Sequence, residues 1–91
     1  MTKANIVNQI AKSTGVERVV VQEIIESFME CVKGSLIAKE NVYLRGFGSF
    51  IIKRRAQKVA RNISKNTTIT IPAHDIPAFK PSKSFAVKVK N

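Results

Sequence analysis

The chain has 91 residues, of which 44% are hydrophobic, and this suits one folded domain over residues 1–91. The single cysteine, Cys31, excludes a disulfide framework. With the single histidine, His74, it cannot supply the roughly four ligands of a Cys/His metal site, so we expect no metal and no cofactor. The net charge of +10, from 16 basic and 6 acidic residues, favours a polyanionic partner.

Two helices are predicted in the first part of the chain. Thr2 is a good N-cap for a helix over 3–13, and Gly15 suits the position after its last turn. A second helix over 17–38 carries a wide apolar stripe with helical spacing. Its members are Val20, Val21, Ile24, Ile25, Phe28, Met29, Val32, Leu36 and Ile37. Because one small sheet cannot cover this stripe, we expect part of it to pack on a second copy of the chain.

Strands are predicted over 42–45, 49–61 and 67–71, with Gly46-Phe47-Gly48 as the turn between the first two. The hairpin at about 53–72 has too few apolar side chains to pack against anything. At about 3.3 Å per residue it reaches about 30 Å. We therefore expect a β-ribbon arm that projects into solvent.

The last segment is predicted to be irregular over 73–81, where two prolines interrupt it, with Phe79 as a core residue. Ser82 then caps a short helix over 83–90. Two apolar residues of this helix are expected to face inward: Phe85 and Val89.

The charge is concentrated in the second part of the chain. Residues 1–52 hold six basic and five acidic residues, whereas residues 53–91 hold ten basic residues and one acid, Asp75. Clustering of this kind is the electrostatic footprint of a nucleic-acid-binding protein. An anionic membrane surface and a merely solvated basic face are the other interpretations. No apolar run approaches a membrane span, so we expect no membrane partner.

The acids and nucleophiles do not favour an enzyme. Glu23, Glu26 and Glu30 lie three and four residues apart, a spacing that suits ion pairs on a helix surface. Cys31 borders the apolar stripe, where a partly buried, inert thiol is expected, and His74 lies in a predicted loop.

The segment Arg45–Ile52 partly matches the signature of the RRM, an RNA-binding fold. Ser49 stands where that signature has an aromatic residue, and the region that should supply an upstream strand is predicted to be helical. Phe47 and Phe50 are therefore interpreted as core residues and the glycines as turn residues. An RNA-binding or ribosome-associated basic module stays as an alternative function.

The predicted arm carries basic side chains that suit a sugar–phosphate track. They are Lys53, Arg54, Arg55, Lys58, Arg61 and Lys65. Strand alternation puts Arg55 and Arg61 on one face of the arm. It puts Arg54 and Lys58 on the other.

Several motifs together give the chain a resemblance to a known family. They are Met1-Thr2-Lys3 with the helical pair, Gly46-Phe47-Gly48-Ser49-Phe50, Arg61-Asn62 and Ile76-Pro77-Ala78-Phe79-Lys80-Pro81. With them the sequence resembles the HU/IHF family of bacterial histone-like DNA-binding proteins over nearly its whole length. The resemblance implies an α+β fold with an N-terminal helix-turn-helix pair, a three-stranded antiparallel sheet, a long protruding β-ribbon arm and a short C-terminal helix, in an intertwined dimer.

The resemblance also implies roles for parts of the chain. Residues 1–40 would form the helical dimerisation base, 41–81 the sheet saddle with the arm at about 53–72, and 82–91 the C-terminal helix. The predicted dimer core comprises Phe28, Phe47, Phe50 and Phe79. The predicted DNA-binding residues are Lys3, Arg45, Lys53, Arg54, Arg55, Lys58, Arg61, Asn62, Ile63, Lys65, Lys80 and Lys83.

The tip of the arm departs from the family pattern. The family has a proline wedge after Arg-Asn, whereas Ile63 follows Arg61-Asn62 in this chain. Isoleucine is also an apolar residue that architectural proteins insert between base steps, although it lacks the fixed φ of proline. A turn residue that packs on Ile69 is the other interpretation, and both stay open.

The expected function is sequence-independent binding and bending of double-stranded DNA in the minor groove, without enzymatic activity. The arm offers few side chains suited to reading base edges, Gln57 and Asn62 among them, so a site-specific IHF-like protein is the less favoured alternative. The partner subunit is expected to be the same chain or a paralogue, and RNA a secondary ligand. No signal peptide is expected at the N-terminus, and a cytoplasmic location on the nucleoid follows.

Overall fold

The computed structural model describes residues 1–62 and 67–90. In chain order its elements are α1 (Lys3–Thr14), α2 (Arg18–Ile37), β1 (Val42–Leu44), β2 (Gly48–Arg55), β3 (Lys58–Asn62), β4 (Thr67–Ile71), β5 (His74–Pro81) and α3 (Lys83–Lys90). These helices and antiparallel strands confirm the α+β class. The chain divides into two compact units, Met1–Gly34 and Ser35–Asn91, and the assignment of residues 1–91 to one domain stays a prediction.

The ends of α1 follow from its capping residues. The Asn5 backbone N–H donates to the Thr2 hydroxyl (3.3 Å), and the Thr2 N–H donates to the Asn5 side-chain oxygen (3.0 Å). At the other end Gly15 is left-handed, with φ of 77°, and its N–H donates to the Ala11 carbonyl (2.9 Å). The predicted start and stop signals of this helix are therefore confirmed.

The apolar stripe of α2 is only partly covered in the single chain. Val7, Val21 and Val32 are the buried hydrophobic residues of the part that the structure describes. Elsewhere on the stripe, 60% of Ile24 and 41% of Phe28 remain exposed. This exposed apolar surface is the part of the stripe that the predicted packing on a second copy of the chain would cover.

Strands β1, β2 and β5 form a three-stranded antiparallel sheet in the order β1-β2-β5, which confirms the predicted sheet. The prediction that 73–81 is irregular is wrong, because His74–Pro81 pairs with Gly48–Arg55 along its whole length. Pro77 is tolerated in β5 because this is an edge strand, in which one side of the backbone needs no N–H donor.

The predicted strand over 49–61 is interrupted. It divides into β2, which ends at Arg55, and β3, which begins at Lys58. Strand β3 pairs with β4 in a separate two-stranded antiparallel ribbon. Strand β1 ends at Leu44, so Arg45 lies in the following turn and not in the strand as predicted.

Alternation along the strands gives the three-stranded sheet two different faces. The aromatic face carries Val42, Leu44, Gly48, Phe50, Ile52, Arg54, Asp75, Pro77 and Phe79. The basic face carries Tyr43, Ser49, Ile51, Lys53, Arg55, His74, Ile76, Ala78 and Lys80.

A cluster of phenylalanines holds one end of the aromatic face together. The Phe79 ring centroid lies 5.0 Å from that of Phe47 and 5.1 Å from that of Phe50, and Phe85 of α3 stacks on Phe47 at 5.8 Å. Gly48 approaches this cluster so closely that a Cβ atom there would lie 2.6 Å from the Phe79 ring. The glycine therefore has a packing role in addition to a turn role.

The short helix α3 begins at the predicted cap. The Phe85 N–H donates to the Ser82 hydroxyl (3.3 Å), and the Ser82 N–H donates to the Phe47 carbonyl (2.9 Å). Phe85 is half-buried as predicted. Val89 is 69% exposed, so the prediction that it faces inward is wrong for the single chain.

Candidate nucleic-acid interface

A shallow groove at one end of the basic face brings together three of the predicted DNA-binding residues. Arg45 lines it from the turn after β1, Lys80 from β5 and Lys83 from the first turn of α3. The lining also includes residues of the sheet: Tyr43, Ser49 and Ile51. Three cations around a concave surface form an environment that favours phosphate groups.

The basic face continues from this groove along β2 towards the arm. Lys53 and Arg55 are exposed and lie two residues apart, so they point to the same side of the sheet as Lys80. In the register of the sheet Lys53 lies opposite Ile76, and Arg55 lies opposite His74. The result is a row of cations along one side of a single sheet.

Arg54 is separated from its two basic neighbours by the pleat of the strand. It lies on the aromatic face, where its Nη1 atom is 3.1 Å from Oδ1 of Asp75, the residue directly opposite it on β5. Lys39 approaches the same carboxylate from the turn after α2, with Nζ 3.2 Å from Oδ2 of Asp75. Arg54 is therefore engaged by a carboxylate, whereas Lys53 and Arg55 form no ion pair within residues 1–62 and 67–90.

The charged form of the Asp75 carboxyl is favoured by this arrangement. Hydrogen bonding from Arg54, and then from Lys39, lowers the pKa of the Asp75 carboxyl below its ordinary value, because both partners favour the charged form. Asp75 is the only acidic residue after residue 52, and it lies on the aromatic face. The basic face of the sheet therefore carries no acidic side chain.

Lys3 lies at the first position of α1, where an ion pair engages it. Its Nζ atom donates to Oε1 of Glu26 on α2 at 2.9 Å. Hydrogen bonding from Lys3, and then from Gln22, lowers the pKa of the Glu26 carboxyl. Both partners are exposed, so this pair contributes little to stability.

The β3–β4 ribbon corresponds to the predicted arm. Its register runs from Lys58 opposite Ile71 to Asn62 opposite Thr67. Val59 and Ile69 are exposed, which agrees with the prediction that the arm has nothing to pack against. The backbone of Arg61 pairs with that of Thr68, and the predicted division of Arg55, Arg61, Arg54 and Lys58 between two faces of the arm stays a prediction.

The tip of the arm lies outside the described residues. The predictions for Ile63 and Lys65 therefore stay predictions, and so do the two interpretations of Ile63 as a wedge or as a turn residue.

Two residues of this region were missed in the sequence. Asp75 as the partner of Arg54, and His74 as a member of the basic face, both depend on the pairing of β5 with β2. The segment was interpreted as irregular because of its prolines. No alternation of polar and apolar residues marks this segment, because His74-Asp75 is followed by the apolar run Ile76-Pro77-Ala78-Phe79, so the sequence gives no local signal for the strand.

Within residues 1–62 and 67–90, no three His, Cys, Asp or Glu side chains lie close enough together to hold a metal ion. Among the helices that the structure describes, none has the length and apolar character needed to cross a membrane.

The sequence matches the family described as "Bacterial DNA-binding protein" over residues 1–90. The chain belongs to this family. It is 34% identical to DNA-binding protein HU of Thermotoga maritima over 90 residues, covering 99% of this chain and 100% of that one. It is 30% identical to the integration host factor alpha subunit of a Marinomonas strain, covering 100% of this chain and 93% of the relative. Anabaena HU in a cocrystal with DNA superposes with a TM-score of 0.92 at 30% identity, covering 98% of this chain and 97% of that one.

Proposed function

We propose that this protein binds double-stranded DNA in the minor groove and bends it, with little dependence on base sequence. The observation that carries the proposal is the row of cations on one side of the sheet, from the groove of Arg45, Lys80 and Lys83 to Lys53 and Arg55. The similarity to an HU protein crystallised with DNA supports the same ligand.

The proposed affinity comes from phosphates. Each phosphate that a lysine or arginine neutralises releases counterions, so the logarithm of the binding constant falls with the logarithm of salt concentration by about 0.9 per contact. Exposed lysines and arginines that contact phosphates and no base edges supply this part of the binding free energy, which does not depend on base sequence. Deformability of the duplex would then decide which sites are preferred.

The proposed binding unit is a dimer. Few hydrophobic side chains among the described residues are buried in the single chain, whereas Phe28, Phe47 and Phe79 are each about two-fifths exposed or more. A second copy of the chain, or a paralogue, is the partner that would cover these surfaces. Sedimentation at micromolar concentration should give twice the 10.1 kDa mass of the chain, and a stable species of 10.1 kDa would contradict the proposal.

The proposal includes no catalysis. It places the protein on the bacterial nucleoid as an architectural component, in agreement with the family description as a DNA-binding protein.

Energy transfer between dyes at the two ends of a short duplex tests binding and bending together. Addition of protein should raise the transfer on several unrelated sequences, and the rise should weaken at higher salt because cations in solution compete with the protein for phosphates. Binding without a rise in transfer would contradict bending. A rise on one sequence alone would favour the site-specific alternative, and a preference for structured RNA at equal salt would favour the RNA-binding one.

The same assay tests the predicted wedge. Ile63→Asp should reduce the bend more than Ser64→Ala, its neighbour at the arm tip, because a carboxylate cannot enter the base stack. Equal bending by the two variants would make Ile63 a turn residue.

A further inference from the structure

We propose that His74 is a phosphate-contacting residue of the basic face and that it takes up a proton when DNA binds. This inference rests on the proposed DNA-binding function and adds to it a further contact residue and a dependence on pH.

The register of the sheet gives His74 its surroundings. It is the first residue of β5, it is exposed, and it lies directly opposite Arg55 on β2. Side chains in this relation have Cβ atoms about 5 Å apart, and Lys53 is the diagonal neighbour at about 7–8 Å. The ring therefore lies in the row of cations that the proposed function assigns to the DNA backbone.

The charged groups that face His74 from the sheet are both positive. They are Arg55 and Lys53 on β2, while Ile76, the next residue of β5 on this face, is uncharged. Strand β4, which precedes it in the chain, carries no ionisable residue. Asp75 is adjacent in sequence but lies on the aromatic face, where Arg54 and Lys39 engage it. Within the sheet, no carboxylate competes with a phosphate for this ring.

The orientation of the ring determines which atom can meet a phosphate. Nδ1 of His74 lies 2.9 Å from the Pro72 carbonyl oxygen. Because a carbonyl oxygen can only accept, Nδ1 carries a hydrogen in this arrangement whether the ring is neutral or charged. The second proton is therefore gained at Nε2. A neutral Nε2 is an acceptor and its lone pair repels a phosphate oxygen. A protonated Nε2 instead donates a charge-assisted hydrogen bond to that oxygen.

DNA changes the balance between these two forms. Phosphates drawn to Arg55 and Lys53 bring negative charge beside the ring and favour its charged form in the complex. Histidine is the side chain whose charge ordinarily changes between about pH 5 and pH 8. Since His74 is the only histidine in the chain, a proton taken up near neutral pH can be assigned by substituting this one residue.

The test is the affinity of the full chain for a mixed-sequence duplex, measured by fluorescence anisotropy between about pH 5.5 and pH 8 at constant salt. The parent should bind about tenfold more tightly at the acid end, which is the effect expected of one charged hydrogen bond. Its salt slope should be steeper there by about 0.9 for each His74 contact. His74→Gln should lose both effects, and His74→Lys should bind tightly across the range without them.

Calorimetry in two buffers of different ionisation enthalpy gives a direct count of protons. The parent should take up protons on binding, to at most one per His74, and His74→Gln should take up correspondingly fewer. Identical pH profiles and proton counts for parent and His74→Gln would overturn the inference while leaving DNA binding intact. Absence of binding by the parent at every pH would instead overturn the proposed function. If His74→Gln is unfolded, His74→Lys takes its place in the test. A DNA affinity of His74→Lys that changes with pH as strongly as that of the parent would overturn the inference.

Discussion

The two faces of the three-stranded sheet come from the same strands and differ in almost every physical property. The aromatic face packs Phe50 and Phe79 and neutralises its one arginine, Arg54, with a carboxylate. On the basic face, Lys53 and Arg55 are exposed, and neither forms an ion pair with the residues that the structure describes. Arg54 and Arg55 are adjacent on β2, yet the first forms an ion pair within the chain and the second lies on the face proposed to bind DNA. The face on which an arginine lies therefore decides its expected contribution to DNA binding.

The largest expected effect is on the aromatic face. Phe79→Ala should lower the free energy of unfolding by about 3 kcal/mol, because the ring contacts both Phe47 and Phe50. Urea denaturation at fixed protein concentration measures this. Val87→Ala, on an exposed position of α3, is the control and should change stability by no more than about 0.5 kcal/mol. Equal effects of the two changes would mean that the phenylalanine cluster does not stabilise this face.

Gly48→Ala should also destabilise the sheet, by about 2 kcal/mol. The added Cβ would lie 2.6 Å from both the Phe79 ring and the Lys80 carbonyl oxygen, so strand β5 would have to move. The matched control is Gly34→Ala in α2, where a Cβ meets nothing within 4 Å and alanine is the better helix former. Thermal unfolding of both variants tests the prediction, which fails if Gly48→Ala melts at the parent temperature.

Arg55→Ala and Arg54→Ala compare the two faces directly. Arg55→Ala should weaken DNA binding on all sequences and reduce the salt slope by about 0.9 for each phosphate that Arg55 neutralises. Arg54→Ala removes the same charge one residue away, from the face where Asp75 engages it, and should leave the slope nearly unchanged. Titrations at several salt concentrations measure both slopes. A larger reduction for Arg54→Ala would reverse the assignment of the faces and support the sequence-based prediction that Arg54 contacts DNA.

The smallest expected effect is the pH dependence of stability at Asp75. Its pKa is lowered in the folded chain by Arg54 and then Lys39, so the carboxylate stabilises the fold at neutral pH. This contribution is complete above the ordinary pKa of an aspartate and is lost as the pH falls through the lowered folded value. Asp75→Asn should therefore be less stable than the parent at about pH 7, and the difference should vanish at about pH 2.

Urea midpoints across this range give the measurement. Glu30→Gln, which removes an equal charge from an exposed pair with Lys33, is the control for net charge. A difference that persists unchanged into acid would show that Asp75 acts through packing and not through its charge.

Much of the fold could be predicted because local signals and tertiary structure agree. The helix ends at Thr2 and Gly15 follow from capping chemistry, and the arm follows from a run of cations with few apolar side chains. The motif around Gly48 and Phe50 made the family recognisable. The exposure of Phe28 also agrees with the expectation of a second chain.

The details that escaped prediction depend on long-range pairing. Prolines at 77 and 81 suggested an irregular segment, but an edge strand has one side on which a missing N–H costs nothing. Without that strand, neither the Arg54–Asp75 pair nor the place of His74 beside Arg55 could be assigned. The break between Arg55 and Lys58 was also missed, because the residues on both sides favour extended backbone.

That break has a mechanical consequence. The last pair of the sheet is Arg55 with His74, and the first pair of the ribbon is Lys58 with Ile71, so both strands leave the ladder at the same level. Each contributes two unpaired residues there, Ala56-Gln57 on one strand and Pro72-Ala73 on the other, and Pro72 has no N–H with which to bridge the gap. Because strand pairing does not cross this joint, we expect that the ribbon can tilt without breaking the backbone pairing of the sheet or of the ribbon. We expect such tilting to let the arm follow duplexes of different curvature while the sheet keeps the same proposed contacts with phosphates.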